Sequence, residues 1–348
     1  MDVLTTTQQQ TKEFDVLALG ELLLRLSSQH NDRLVRGNAF DKNVGGAELN
    51  VVSGISLLGL RTGIISKLPA NDLGTYAKNS IRFCGVSDDY LIYDHSDDAR
   101  LGLYYYEYGA HPRKPSVVYD RKHSSINTIR IDELPDSVYQ STRLFHPSGI
   151  TLALSEQVRQ TAITAIQKFK QAGALISFDV NYRANLWEEQ EARACIEQIL
   201  PFVDILFVSE ETSRRMFQKT GKLVDIQKSY CLDYPISIVA STQRTVVSPR
   251  EHTFTSSIYS AKEEKYYFEA PYENIEVIDR IGSGDAYVAG VLYGYLSYHD
   301  CQKALEYGNA TSSVQNTIRG DLPGADLKDI NRIIKAHQST GIQSEMNR

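Results

Sequence analysis

An α/β fold is predicted, a mostly parallel sheet with helices on both faces and a small antiparallel β layer. Short apolar runs alternate with longer segments of helical period. Two stretches break that alternation with strand-like aromatic patterns, and two glycine-rich turns each open a helix.

The elements follow in order. Phe14 to Gly20 reads as a buried first strand. A helix is expected from about Ala47 to Leu58, with Val51, Ile55 and Leu58 on one stripe and Gly59 as its stop. Ser155 caps a clearer helix whose apolar stripe is Val158, Ala162, Ala165, Ile166 and Phe169, ending at Gly173. Residues 174–179, 203–208 and 236–240 are apolar runs of strand length. In such parallel sheets ligands bind beyond the carboxyl ends of the strands, so the residues just after each strand matter most. Residues 25–44 and about 94–122 carry little helical period and are expected to form the β layer over that edge. In the run Tyr104-Tyr105-Tyr106, neighbours point to opposite faces, so at least one tyrosine packs between strands or chains.

Composition removes several function classes. The 348 residues suffice for a full core with a smaller appendage. A net charge of -6 argues against broad nucleic-acid binding, which needs a basic footprint. Cys84, Cys195, Cys231 and Cys301 show no metal-ligand spacing, which points to a reducing compartment and no zinc site. The amino terminus lacks a secretory pattern and no segment reaches the roughly 18 apolar residues of a membrane helix, so a cytoplasmic location is expected. Residues 1–12 and those after Gly341 are expected to be frayed tails.

The chemistry is concentrated at Asp279-Arg280-Ile281-Gly282-Ser283-Gly284-Asp285, which leads into an apolar helix. Two glycines around a small residue allow a tight turn with unobstructed N–H groups, and the helix adds its positive end, so the turn suits an anion. Asp285 in the first helical turn fits two roles: a helix cap, or a base for a hydroxyl attacking phosphorus. Gly45 and Gly46 open a second helix, with Asn50 one turn on. A bare backbone there admits a ligand hydroxyl, or serves only helix packing. The sequence contains no GxxxxGK[ST], HExxH or GxSxG pattern.

Taken together, the two glycine segments resemble the ribokinase-like (phosphofructokinase B type) sugar kinase family over nearly the whole chain. The first signature is Gly45-Gly46-Ala47-Glu48-Leu49-Asn50, continuing through residues 69–74 and Cys84-Gly85-Val86; the second runs from Asp279 to Gly290. Within the family, residues 101–104, 117–121, 146–151, 179–183 and 319–321 are most similar to 2-keto-3-deoxygluconate kinases. The resemblance implies ATP-dependent phosphorylation of that sugar acid's terminal hydroxyl, with Mg²⁺. Asp285 is then the base, and Gly282, Ser283 and Gly284 the anion hole. Gly45, Gly46, Asn50, Tyr104, Tyr119, Arg121, Arg183 and Asp321 contact the sugar acid, and residues 25–44 and 94–122 form a lid over a kinase unit of residues 13–24, 45–93 and 123–340. Arginines suit a carboxylate-bearing sugar better than a neutral hexose. A structural ion pair with Asp179 is the plainer role for Arg183.

Two departures touch the nucleotide side. Residues 240–245 lack the lysine and glycines usual there, leaving Ser241 and Arg244 as candidate nucleotide contacts. Ser209-Glu210-Glu211-Thr212 ends in threonine where the family has glutamate, so Ser209 is a further nucleotide candidate and the metal ligands are unassigned. A fructokinase, a ribokinase or a non-catalytic sugar-acid sensor are the alternatives. Neither nucleic acid nor membrane is an expected partner, and pairing of two chains through their lids is.

Overall fold

The computed structural model describes residues 12–248 and 250–339. The tails expected at residues 1–12 and after Gly341 lie outside these residues, Lys12 excepted, as does residue 340 of the expected kinase unit.

The chain opens with β1 (Phe14–Leu19), then crosses into a second sheet for β2 (Leu23–Ser28) and β3 (Phe40–Gly45). Helix α1 (Ala47–Leu57) leads back to β4 (Thr62–Pro69), α2 (Asp72–Phe83) and β5 (Leu91–Asp94). A second excursion builds β6 (Gly102–Glu107) and β7 (Ser116–Asp120). Strands and helices then alternate: β8 (Thr142–His146), α3 (Gly149–Ala153), α4 (Glu156–Gln171), β9 (Leu175–Asp179) and α5 (Glu189–Ile199). They continue with β10 (Ile205–Phe207), α6 (Glu210–Arg215) and α7 (Leu223–Asp233). The hairpin strands β11 (Ile238–Ser248) and β12 (Glu251–Ser260) follow, with β13 (Lys265–Phe268) and β14 (Tyr272–Glu276). Helices α8 (Ser283–Tyr298), α9 (Cys301–Gln315) and α10 (Leu327–Gln338) complete the described chain.

In the large sheet, β11-β10-β9-β8-β1-β4-β5 lie side by side and run parallel. Strands β12 and β13 extend the β11 edge antiparallel, and β14 pairs with β12. Every residue of β1 is buried because both faces of the sheet are covered: Val16 and Ala18 belong to one apolar core, Leu17 and Leu19 to another. The first core is closed by α1, α8 and α9, the second by α4, α5 and α7. Ser155 caps α4 by accepting the Val158 N–H, and Asn71 caps α2 through the N–H groups of Leu73 and Gly74.

The strand expected over 236–240 starts at Ile238 and runs on to Ser248. Its polar second half, from Ser241, is held in register by antiparallel pairing with β12 rather than by apolar burial. The segment that lacks the family's lysine and glycines is therefore one arm of a long hairpin.

The small sheet has the order β3-β2-β6-β7. Its outer pairs are antiparallel, while β2 and β6 run parallel because the chain passes through α1, β4, α2 and β5 between them. Tyr104 and Tyr106 alternate onto its buried face, and Tyr105 points the other way, its ring centroid 6.0 Å from that of Phe40.

Candidate active site

The carboxyl end of β9, the starts of α1 and α8 and the buried face of the small sheet enclose a cleft of about 490 Å³. Gly46, Asn50, Tyr104, Tyr119, Arg121, Arg183, Arg244 and Asp321 line it, together with the whole turn Gly282-Ser283-Gly284-Asp285. Gly45, Ser209 and Ser241 are not among the lining residues. Gly45 is pressed against the Asp321 carboxylate, Ser209 caps α6 by accepting the Thr212 N–H, and Ser241 is buried within β11.

The turn is built by Gly282, whose φ of 79° is left-handed and whose Cβ position would stand 2.5 Å from the Asp321 carbonyl. Only glycine meets both demands. The Ser283 N–H turns back to the Arg280 carbonyl at 3.4 Å; the N–H groups of Gly282 and Gly284 have no partner among the described residues. No atom lies within 4 Å of a Cβ built on Gly284, so the first turn of α8 presents bare backbone to the cleft.

Asp285 is half-buried and its Oδ2 accepts the Nδ2–H of Asn50 at 2.7 Å. Burial holds its carboxyl up at about 7; the Asn50 hydrogen bond opposes the rise and the nearby Asp179 adds to it. Asp179, at the end of β9, is likewise pushed up to about 7 by burial, with Arg183 opposing. Glu48 is raised for the same reason, although Ser148 and Thr151 donate hydroxyl hydrogen bonds to it at 2.5 and 2.7 Å. Three carboxyls around the start of α1 and α8 thus resist ionisation. Asn50 Oδ1 has no partner among the described residues and is buried at the cleft wall.

The arginines divide into two kinds. Arg121 is engaged: its Nε donates to the buried Glu21 at 2.8 Å, its Nη2 reaches the same oxygen, and Ser124 donates to the other at 2.6 Å. Arg183 is exposed, donates only to the Tyr182 carbonyl at 3.2 Å, and makes no ion pair among the described residues, so the structural pairing with Asp179 is not formed. Arg244 and Arg280 line the cleft without a carboxylate partner among the described residues; Arg244 is exposed at its surface, yet partial desolvation and then the charge of Arg280 lower it.

Asp321 is fully buried in polar contacts, taking the Tyr104 hydroxyl on one oxygen and Arg25 on the other at 2.6 Å. Burial works against the Arg25 charge, yet Asp321, Tyr104 and Asp279 more than offset it and hold the guanidinium protonated. Sequence reasoning did not find Glu21 or Arg25 as parts of the site, and it quoted Asp279 and Arg280 beside the glycine turn without giving either a role. Glu21 follows β1, so the rule that ligands gather after strands would have found it. Arg25 lies behind the cleft wall and had no such signal; Asp279, also behind it, stands in the glycine-turn segment, but nothing local pointed to its partner.

Among the described residues no group of three or more His, Cys, Asp or Glu could hold a metal ion. Glu210 and Glu211, the acids beside the altered segment, are tied to Arg214 and Arg215 at 2.5 and 3.0 Å. These residues do not form a Mg²⁺ cage.

A family profile described as pfkB family carbohydrate kinase matches residues 14–323. The chain is 32% identical to a 2-dehydro-3-deoxygalactonokinase of Haloferax volcanii over 92% of its own length and 96% of that protein's. It is 25% identical to a 5-dehydro-2-deoxygluconokinase of Shouchella clausii over 88% of this chain and 90% of that one. Among solved structures, the 2-dehydro-3-deoxygluconokinase of Thermotoga maritima superposes with a TM-score of 0.88 at 30% identity, covering 93% of this chain and 98% of that one.

Proposed function

The chain belongs to the pfkB family of carbohydrate kinases and has their ribokinase-like fold, and we propose that it phosphorylates the terminal hydroxyl of 2-keto-3-deoxygluconate with ATP. The observation that carries the substrate class is Arg183: an arginine without an ion-pair partner among the described residues, at the mouth of a cleft that also contains Asp285. A planar guanidinium there suits the carboxylate of a sugar acid better than a neutral hexose.

Asp285 accepts the proton of the terminal hydroxyl as its oxygen forms the new bond to the γ-phosphorus and the bond to the leaving ADP breaks. The raised Asp285 carboxyl and its hydrogen bond from Asn50 support this role. The unpartnered N–H groups of Gly282 and Gly284, at the positive end of α8, suit the charge on the transferred group. Ser283 would contribute less through its own N–H, which already faces Arg280. Asn50 Oδ1 and Tyr119 would meet sugar hydroxyls, and Arg244 with Arg280 would meet phosphates; their positions in the cleft lining support this. Mg²⁺ would arrive with the phosphates of ATP and neutralise part of their charge.

The four cysteines are unpaired, which supports a cytoplasmic setting, and among the described residues no helix is long and apolar enough to cross a membrane. The exposed edge strand β7 supports pairing of two chains through their small sheets. A monomer in light scattering at micromolar concentration would count against that pairing.

Turnover on 2-keto-3-deoxygluconate, its galactonate epimer, fructose and ribose, followed by ADP release with ATP and Mg²⁺, tests the substrate. The gluconate acid is expected to have the highest kcat/KM. Preference for the epimer would move the assignment to the activity of the Haloferax relative, and activity on fructose alone would reject the sugar-acid reading.

A further inference from the structure

Arg25 occupies the middle of the small sheet, opposite Asn43 of β3 and Tyr104 of β6, and its side chain is wholly buried. Every nitrogen of its guanidinium has a partner. Nη1 donates to Asp321 at 2.6 Å, Nη2 to Asp279 at 2.5 Å and to the Tyr108 hydroxyl at 3.3 Å, and Nε to Ser27 at 2.7 Å. The guanidinium also lies 4.3 Å over the Tyr106 ring.

The two carboxylates it holds are 254 and 296 residues further along the chain. Each fixes a piece of the catalytic floor. Asp279 accepts the Ile281 N–H at 3.1 Å, one residue before the glycine turn, and the Gly320 N–H at 3.3 Å in the loop beneath it. Asp321, next in that loop, sets its carbonyl directly under Gly282. Neither Arg25 nor Asp279 lines the cleft, so neither touches substrate.

A buried ion network of this kind adds little stability over a well-packed apolar core, whereas its geometry is demanding. A planar fork bridges two carboxylates at a fixed separation, whereas an ammonium with three rotatable donors does not fix that separation. We propose that Arg25 is a positioning residue for phosphoryl transfer, clamping Asp279 and Asp321 to β2 and thereby setting the Gly282–Gly284 turn at its height relative to Asp285. This inference rests on the kinase reading above.

The test is steady-state kinetics on Arg25→Lys, Arg25→Met and Asp279→Asn, with folding checked by circular dichroism and thermal melting. For folded Arg25→Lys, kcat is expected to fall about 100-fold, the scale of a small misplacement of reacting groups. KM for sugar acid and for ATP should stay within about threefold, and the pH midpoint of kcat/KM should not move, because Asp285 is still the base. A merely structural residue would lower melting temperature and yield but leave kcat per folded molecule unchanged. Folded Arg25→Lys with kcat within about twofold of wild type, or with raised KM at unchanged kcat, overturns the inference. If Arg25→Met does not fold, Arg25→Lys and Asp279→Asn decide by the same criteria. Wild-type turnover with unaltered variants removes this inference alone; a wild type that phosphorylates none of the sugars removes the kinase reading and the inference with it.

Discussion

The two walls of the cleft differ in how they partner their carboxylates. Along the α1 and α8 wall, the buried Glu48 and the half-buried Asp179 and Asp285 form no ion pair among the described residues, and all three are raised. At and behind the wall formed by the small sheet, Glu21, Asp279 and Asp321 each have a buried arginine in contact, although burial still raises Asp321. The difference separates reactivity from placement. A carboxylate already neutralised by a guanidinium is a poor base, whereas one held near neutrality by burial is poised to take a proton.

The sharpest way to break this contrast is to disarm the unpaired wall. Asp285→Asn keeps the shape of the site and the contact with Asn50, so turnover should fall by about 10²–10⁴-fold while calorimetric affinity for the sugar acid changes little. Near-normal turnover would remove Asp285 as base. The next effect in size concerns the arginine that is not engaged. Arg183→Ala should raise KM for the sugar acid about 10- to 100-fold, the scale of one charge-assisted hydrogen-bond pair. Equal losses on a neutral sugar would show that Arg183 does not read the carboxylate.

The pH dependence sharpens the same comparison. As a base, Asp285 must be ionised, so kcat/KM should rise with pH and level off above about 7. Stability moves the other way. The folded protein holds this proton up to about 7, whereas an unfolded carboxyl releases it near about 4. Across that window the folded state binds more protons, so stability falls as pH rises. The melting temperature of Asp285→Asn minus that of wild type should therefore be larger at about pH 8 than at about pH 5. A constant difference would mean that Asp285 titrates normally. The smallest effect is expected at Ser241, buried in β11 away from the cleft lining: Ser241→Ala should alter KM for ATP by less than about twofold. A larger change would return this residue to the nucleotide site.

Much of this was legible in the sequence for physical reasons. Helix α4 announced itself through its apolar stripe and Ser155 cap, and β1 through an unbroken apolar run. The turn at Gly282 was legible because tight backbone geometry has few residue choices. What stayed hidden depends on distance along the chain. Arg25, Asp279 and Asp321 come together only when the fold closes, and no local spacing connects them. The outer half of β11 was hidden for another reason: Ser241-Thr242-Gln243-Arg244 has no apolar face, and its strand conformation comes from its partner β12.

Gly284 differs from the other glycines of the two turns that open α1 and α8. Gly45, Gly46 and Gly282 are small because protein atoms crowd them, while Gly284 has empty space over it inside a helix, where alanine would be the better residue by about 1 kcal/mol. Selection for abundance and selection for growth on the sugar acid therefore pull this one position apart. A variant library sorted for soluble expression should tolerate or enrich Gly284→Ala and discard changes at the other three, and the same library grown on the substrate should discard all four.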